Sequence, residues 1–70
     1  MKIEIFKMLE SACLADIAKA KLTLNLLSEH PAGIGDHSTD DFYNNADSAL
    51  SKLTEAQDKL ECLYRNYSAE

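Results

Sequence analysis

Two histidines and several carboxylates crowd one short stretch of this 70-residue chain, EHPAGIGDHSTDD. The side chains that could do chemistry there are His30, Asp36, His37, Asp40 and Asp41. Imidazole and carboxylate together suit zinc, manganese or iron, so one hypothesis is a metal-binding module that uses His30, Asp36 and His37. The spacing matches neither HExxH nor a CxxC pair, and we therefore expect no bound metal and no other cofactor.

A purely structural role explains the same residues. Asp36 and Ser38 can cap a following helix, His30 can interact with the carbonyl end of a preceding one, and His37 can stay solvated. The GIG triplet lacks the full glycine pattern of a phosphate loop, and the acids beside it would repel phosphate. No nucleophile and base stand in a recognisable arrangement, so we expect no enzymatic activity.

The second half of the chain has the spacing of a heptad helix. Its apolar and small positions, separated alternately by four and three residues, are Phe42, Ala46, Ala49, Leu53, Ala56, Leu60, Leu63 and Tyr67. Asp40 and Asp41 favour a helix start near Thr39, because negative charge is stabilising in a first turn. The pattern predicts a helix over residues 39–67.

The first half has a less regular stripe, with two consecutive steps of four. Its members are Phe6, Leu9, Cys13, Ile17, Ala20, Leu24 and Leu27. Pro31 cannot continue a helix, so the stripe predicts a helix over residues 3–29 and a loop over 30–38. A loop this short makes the helices antiparallel neighbours. The expected fold is all-α, with one domain over residues 1–70. Residues that face each other across the two helices should have numbers that add to about 69.

Further apolar side chains flank this seam, among them Leu14, Leu22, Leu50 and Tyr64. A 70-residue hairpin has a small core, so burying these rows would stabilise it. We expect a homodimer that forms a four-helix bundle through this face, or a larger protein partner that covers it. Either arrangement uses the same surface, and the sequence leaves both open.

The two cysteines are predicted to be buried or half-buried thiols. In the expected register Cys13 and Cys62 are offset along the helices by about six residues, or roughly 9 Å. That offset exceeds what a disulfide bridge tolerates. Two free thiols fit a reducing compartment.

Charge is unevenly distributed along the chain, whose formal net charge is −5. Between Lys21 and Lys52 there is no Lys or Arg but there are five acids, whereas seven acids and seven bases balance outside that window. Helix capping explains part of this acidity. The alternative is an acidic tip, with Asp36, His37, Asp40 and Asp41, that contacts a basic protein surface.

Other partners are disfavoured by the composition. Direct nucleic-acid binding needs clustered Lys and Arg, and an acidic DNA mimic needs charge spaced along the rod, although mimicry remains an alternative. No apolar run approaches the roughly 20 residues of a membrane span, and the N-terminus does not have the pattern of a secretory signal. We expect a cytoplasmic protein.

The loop also resembles a family of short proteins from large tailed bacteriophages, in which an N-P-x-G-I-G-D/E-H segment joins two helices. The matching residues are Pro31, Gly33, Ile34, Gly35, Asp36 and His37, followed by Ala56, Lys59, Leu60 and Glu61. His30 stands where the family has asparagine. The resemblance covers about half the chain and implies a phage accessory protein inside an infected bacterium, without implying an activity.

Overall fold

Two long helices packed side by side form the structure, a computed structural model that describes residues 1–29 and 39–69. Helix α1 spans Ile3–Glu29 and helix α2 spans Thr39–Asn66. Together they make a rod with extents of 51 × 14 × 14 Å. The prediction of an all-helical chain with two helices packed on each other is confirmed.

The helix ends follow from local sequence. Helix α1 ends at Glu29, two residues before Pro31, as expected from the restriction that proline places on the residue before it. Asp40 and Asp41 lie in the first turn of α2, and Arg65 lies in its last turn, so all three complement the helix dipole. The Tyr67 N–H donates to the Leu63 carbonyl at 3.0 Å, which satisfies one of the last four carbonyl groups of α2. The side-chain amide of Asn66 donates to the Cys62 carbonyl at 2.8 Å, one position further back.

Two contacts between the two halves of the chain, one just beyond the helix ends and one between the helices, give the register. The terminal amine of Met1 donates to the Ser68 carbonyl at 3.4 Å, and the rings of Phe6 and Tyr64 lie 6.2 Å apart. The residue numbers in these pairs add to 69 and 70, close to the predicted value. The chain therefore reverses direction between α1 and α2, and the helices are antiparallel.

The core is a narrow strip along the line where the helices meet. Its buried residues, spaced seven apart on each helix, are Phe6, Cys13, Ala20, Ala49, Ala56 and Leu63. Only Phe6 and Leu63 are large, and both lie at the end of the rod that holds the termini. In the middle of the rod the fully buried side chains are alanine and cysteine, which favours a close approach of the helices, and half-buried Ile17, Leu24 and Leu53 lie beside them.

The predicted stripe on α1 is wrong at one position. Leu9 is 39% exposed, whereas Glu10 is half-buried. The seam therefore passes from Phe6 through Glu10 to Cys13, in steps of four and three, and the predicted pair of consecutive fours is absent. A heptad that continues without interruption keeps α1 facing α2 along its length.

Two further expectations are corrected at the other end of the rod. Tyr67 is 53% exposed, because α2 ends at Asn66 and the last predicted seam position lies beyond it. Both cysteines are free, with Cys13 buried as predicted, but Cys62 is exposed instead of half-buried. Cys62 follows Glu61 on the outer side of α2, away from the strip of buried residues.

Candidate interaction surfaces

The acidic tip is the end of the rod where α1 finishes and α2 begins. Its described members, all exposed, are Glu29, Asp40, Asp41 and Asp47. The last turn of α1 contains no basic residue, so Glu29 adds to the negative end of that helix dipole. Of the predicted contact residues, Asp40 and Asp41 are on this surface, while Asp36 and His37 lie outside the described residues.

The predicted metal ligands His30, Asp36 and His37 also lie outside the described residues. Within residues 1–29 and 39–69, no group of three or more His, Cys, Asp and Glu side chains is placed to hold a metal ion. Neither described helix is long and apolar enough to cross a membrane.

A groove of about 540 Å³ runs along one side of the line between the helices. Buried Ala20, Ala49 and Ala56 form its floor, and its rim includes Asp16 from α1 and Lys52 from α2. Asp16 and Lys52 each follow a buried residue by three positions. The two helices therefore present equivalent positions on the same side of the hairpin.

The opposite side of the hairpin carries what we call the side face. Its residues recur every seven positions on each helix, one position after the buried residues and, at the start of α2, one position after half-buried Phe42. Its members and their exposed fractions are Leu14 49%, Tyr43 66%, Leu50 53% and Tyr64 50%. Along α1, Lys7 and Lys21 occupy the same helical position as Leu14, seven residues to either side. On α2 the same helical position also includes Gln57, between Leu50 and Tyr64, so the side face is mainly apolar and aromatic on α2 and mixed on α1.

Leu22 does not belong to that side face, although the sequence grouped it with Leu14. The two residues are eight positions apart, which rotates Leu22 by about 80° around α1. It lies on the outer face of α1, the surface directed away from α2. The large side chains there and their exposed fractions are Ile5 49%, Met8 61%, Leu22 58% and Leu26 49%.

Ile5 and Met8 were missed as candidates for an interaction surface. The signal that could have found them is their spacing, because residues 5, 8, 12, 15, 19, 22 and 26 alternate in steps of three and four. When only one seam is sought on a helix, residues with this spacing are counted among the ordinary exposed positions. The two outward apolar surfaces, the side face and the outer face, are therefore distinct.

Tyr64 joins the side face to the seam. Its hydroxyl donates to Glu10 Oε2 at 2.7 Å, and its ring contacts Phe6. The hydrogen bond to Glu10 is the main cause that raises the pKa of Tyr64 above its ordinary value of 10.0, with desolvation and the negative charge of Glu10 acting in the same direction. Glu10, a carboxylate at a seam position, thus has a partner from the opposite helix.

A pH dependence follows from this contact. Because the folded-state pKa of Tyr64 is raised, its contribution to stability is present below pH 10.0 and is lost as the pH rises through the folded-state pKa. We expect Glu10→Gln to lower the pKa of Tyr64 toward 10.0, since the charge of the acceptor is removed. The pKa of Tyr64 can be measured from the ultraviolet absorbance of tyrosinate, and the variant Tyr64→Phe identifies which part of the signal belongs to Tyr64.

The matched control for that titration is Glu4→Gln, which removes a carboxylate from the first turn of α1. It should leave the Tyr64 midpoint unchanged. Equal midpoints in the native protein and in Glu10→Gln would show that the contact does not perturb Tyr64.

Comparison of this chain with protein families, with curated proteins and with solved structures finds no match in any of the three.

Proposed function

We propose that this protein works without catalysis, by binding another protein through its acidic tip and its side face. The contact residues proposed at the tip are Asp36, His37, Asp40 and Asp41. The resemblance of the loop to proteins of large tailed bacteriophages makes the proposed setting the cytoplasm of an infected bacterium, where the chain would act as an accessory protein.

The observation that supports binding is the distribution of large apolar side chains. Eleven of them are exposed in the described part of the chain, whereas only Phe6 and Leu63 among the large residues are buried. Large apolar side chains grouped on the surface of a small protein are typical of an interaction site. The side face fits a protein partner, because Tyr43 and Tyr64 combine apolar rings with hydroxyl groups, the type of residue enriched at interfaces.

The chemistry of the tip indicates the kind of partner. Asp40 and Asp41 are exposed, and no Lys or Arg occurs in the sequence between Lys21 and Lys52. A surface of one charge sign accelerates association with a surface of the opposite sign and disfavours wrong partners. The partner proposed is therefore a protein with a basic patch beside an apolar one.

The experiment begins with the full chain as bait in a bacterial lysate at low salt. The retained protein is purified, and its association rate with the bait is measured across ionic strengths. We expect the double variant Asp40→Asn/Asp41→Asn to slow association by about tenfold at low salt, because electrostatic steering is weakened. Leu50→Glu should mainly accelerate dissociation, because it places a charge in the apolar contact.

Glu4→Gln is the matched control for the tip. Glu4 is also an acid in the first turn of a helix, but it lies at the opposite end of the rod. Its substitution should leave the association rate unchanged. A double tip variant that associates as fast as the native chain, with the same salt dependence, would remove the tip from the proposal. A bait that retains no protein would contradict the function itself.

A further inference from the structure

The outer face of α1 carries a second heptad seam. Its positions, on the side of α1 away from α2, are Ile5, Met8, Ala12, Ala15, Lys19, Leu22 and Leu26. The steps between them alternate between three and four, the spacing that packs one helix against another. On α2, by contrast, the residues directed away from α1 include Asn44, Ser51, Asp58 and Arg65. Helix α1 thus has the spacing of a helix-packing seam on two of its sides, and α2 on one.

The order of side chains along this seam matches a second copy of itself. Large residues lie at both ends and alanines lie in the middle, so the sequence of sizes is similar when read in either direction. An antiparallel pair centred on Ala15 places Ile5 opposite Leu26 of a second copy, and Met8 opposite Leu22. The α1·α2 seam has the same layout, with Ala20 and Ala49 near its middle and Phe6 and Leu63 near one end.

Charge complementarity supports the same register. Within the hairpin, the Tyr64 hydroxyl reaches Glu10. These two residues are offset along the helices, because the sum of their residue numbers is five higher than the sum for a directly opposed buried pair such as Phe6 and Leu63. When two α1 helices pair antiparallel around Ala15, the same offset of five puts Lys19 of one copy beside Asp16 of the other. Because such a dimer has a twofold axis, the contact between Lys19 and Asp16 occurs twice. Neither Lys19 nor Asp16 forms an ion pair in the described part of the chain, and both are exposed.

The side face is less suited to self-association. Lys7 and Lys21 interrupt it on α1, and Asp47 and Glu61 lie beside it on α2. The outer face has a single charged residue between Ile5 and Leu26, and that residue has a complementary partner in the second copy. Of the two apolar surfaces, the outer face is therefore the one that a second copy covers better.

We propose that two copies of this chain associate through the outer faces of their α1 helices, antiparallel and centred on Ala15. The inference deepens the proposed function, since it supplies the homodimer and leaves the side face and the acidic tip free. Because the two α1 helices run in opposite directions, the acidic tips lie at opposite ends of the assembly. Such a dimer presents two equivalent binding sites to basic protein partners.

The first test is the solution mass by light scattering or sedimentation equilibrium over a concentration series. The native chain should approach twice 7.8 kDa. Leu22→Glu should weaken the dimer on the order of 100-fold or more, because it buries two uncompensated charges at the interface. Leu50→Glu introduces the same charge at a side-face residue of similar exposure and should leave the dimer intact.

The second test uses charge pairs that can meet only between copies. Lys19→Asp alone and Asp16→Lys alone should each weaken the dimer, since each places like charges at both contacts. Mixing the two variants should restore dimerisation as a heterodimer, because Asp at position 19 of one copy then meets Lys at position 16 of the other. Within each copy the two positions still carry like charges, so recovery on mixing reports the contact between copies.

Three outcomes would overturn the homodimer. They are a native chain that stays monomeric at every concentration, dissociation by Leu50→Glu instead of Leu22→Glu, and charge variants that do not recover on mixing. These outcomes are distinguishable from failure of the proposed function. A monomer that retained salt-dependent binding of a basic protein through its tip would refute the dimer alone.

Discussion

Leu63→Ala is expected to lower the free energy of unfolding by about 3 kcal/mol, whereas Leu50→Ala should change it by less than about 1 kcal/mol. Leu63 is 7% exposed and is one of two large residues in the core, while Leu50 is 53% exposed. Truncation at Leu63 leaves a cavity beside Phe6 and removes buried methyl groups. At Leu50 it removes atoms that water already contacts, and alanine favours the helix.

The measurement is urea denaturation followed by helical circular dichroism, at one protein concentration for all variants. A fixed concentration matters because association would make the midpoint depend on it. In a chain of this size, each kcal/mol shifts the melting temperature by about 4–8 °C, so the two leucine variants should separate clearly. If Leu63→Ala and Leu50→Ala melted together, Leu63 would not be part of a packed core.

The helices could be predicted from the sequence because their signals are local. Each of these signals acts within one or two helical turns. They are the steps of three and four between apolar residues, the acids Asp40 and Asp41 at the start of α2, and Pro31 after α1. Those interactions determine where a helix begins and ends before any long-range contact forms. Tyr67 was placed wrongly because the heptad pattern extends one residue past the point where α2 ends.

The position of Glu10 could not be predicted in the same way. A carboxylate in a seam is disfavoured unless a donor satisfies it, and the donor, the Tyr64 hydroxyl, is 54 residues away in sequence. Leu9 offered an apolar side chain one position earlier, and the pattern therefore favoured it. Only the register of the two helices, with Tyr64 beside Phe6, makes Glu10 the seam residue.

The interaction surfaces were predictable in composition but not in grouping. The exposed positions of Leu14, Leu22, Leu50 and Tyr64 agree with their placement outside the seam. Which of them share a surface depends on how α1 is turned against α2. The eight-residue spacing already separates Leu22 from Leu14 on α1, and the orientation given by the buried residues places Leu14 on the same side of the hairpin as Leu50 and Tyr64.

The small buried side chains of the seam lead to the second prediction of large effect, at Ala49. This residue is 5% exposed and lies near the middle of the seam, where the buried side chains are small. Ala49→Leu should lower the free energy of unfolding by about 2 kcal/mol, because a larger side chain must either displace α1 or adopt a strained rotamer. Urea denaturation again measures it.

The control adds the same side chain where there is room for it. Ser51→Leu changes an exposed residue on the side of α2 away from α1 and should alter stability by no more than about 0.5 kcal/mol. If close packing limits the middle of the rod, Ala49→Leu is the less stable of the two. A stability gain at Ala49 would mean that the seam has space for a leucine, and the small residues along it would then need another explanation.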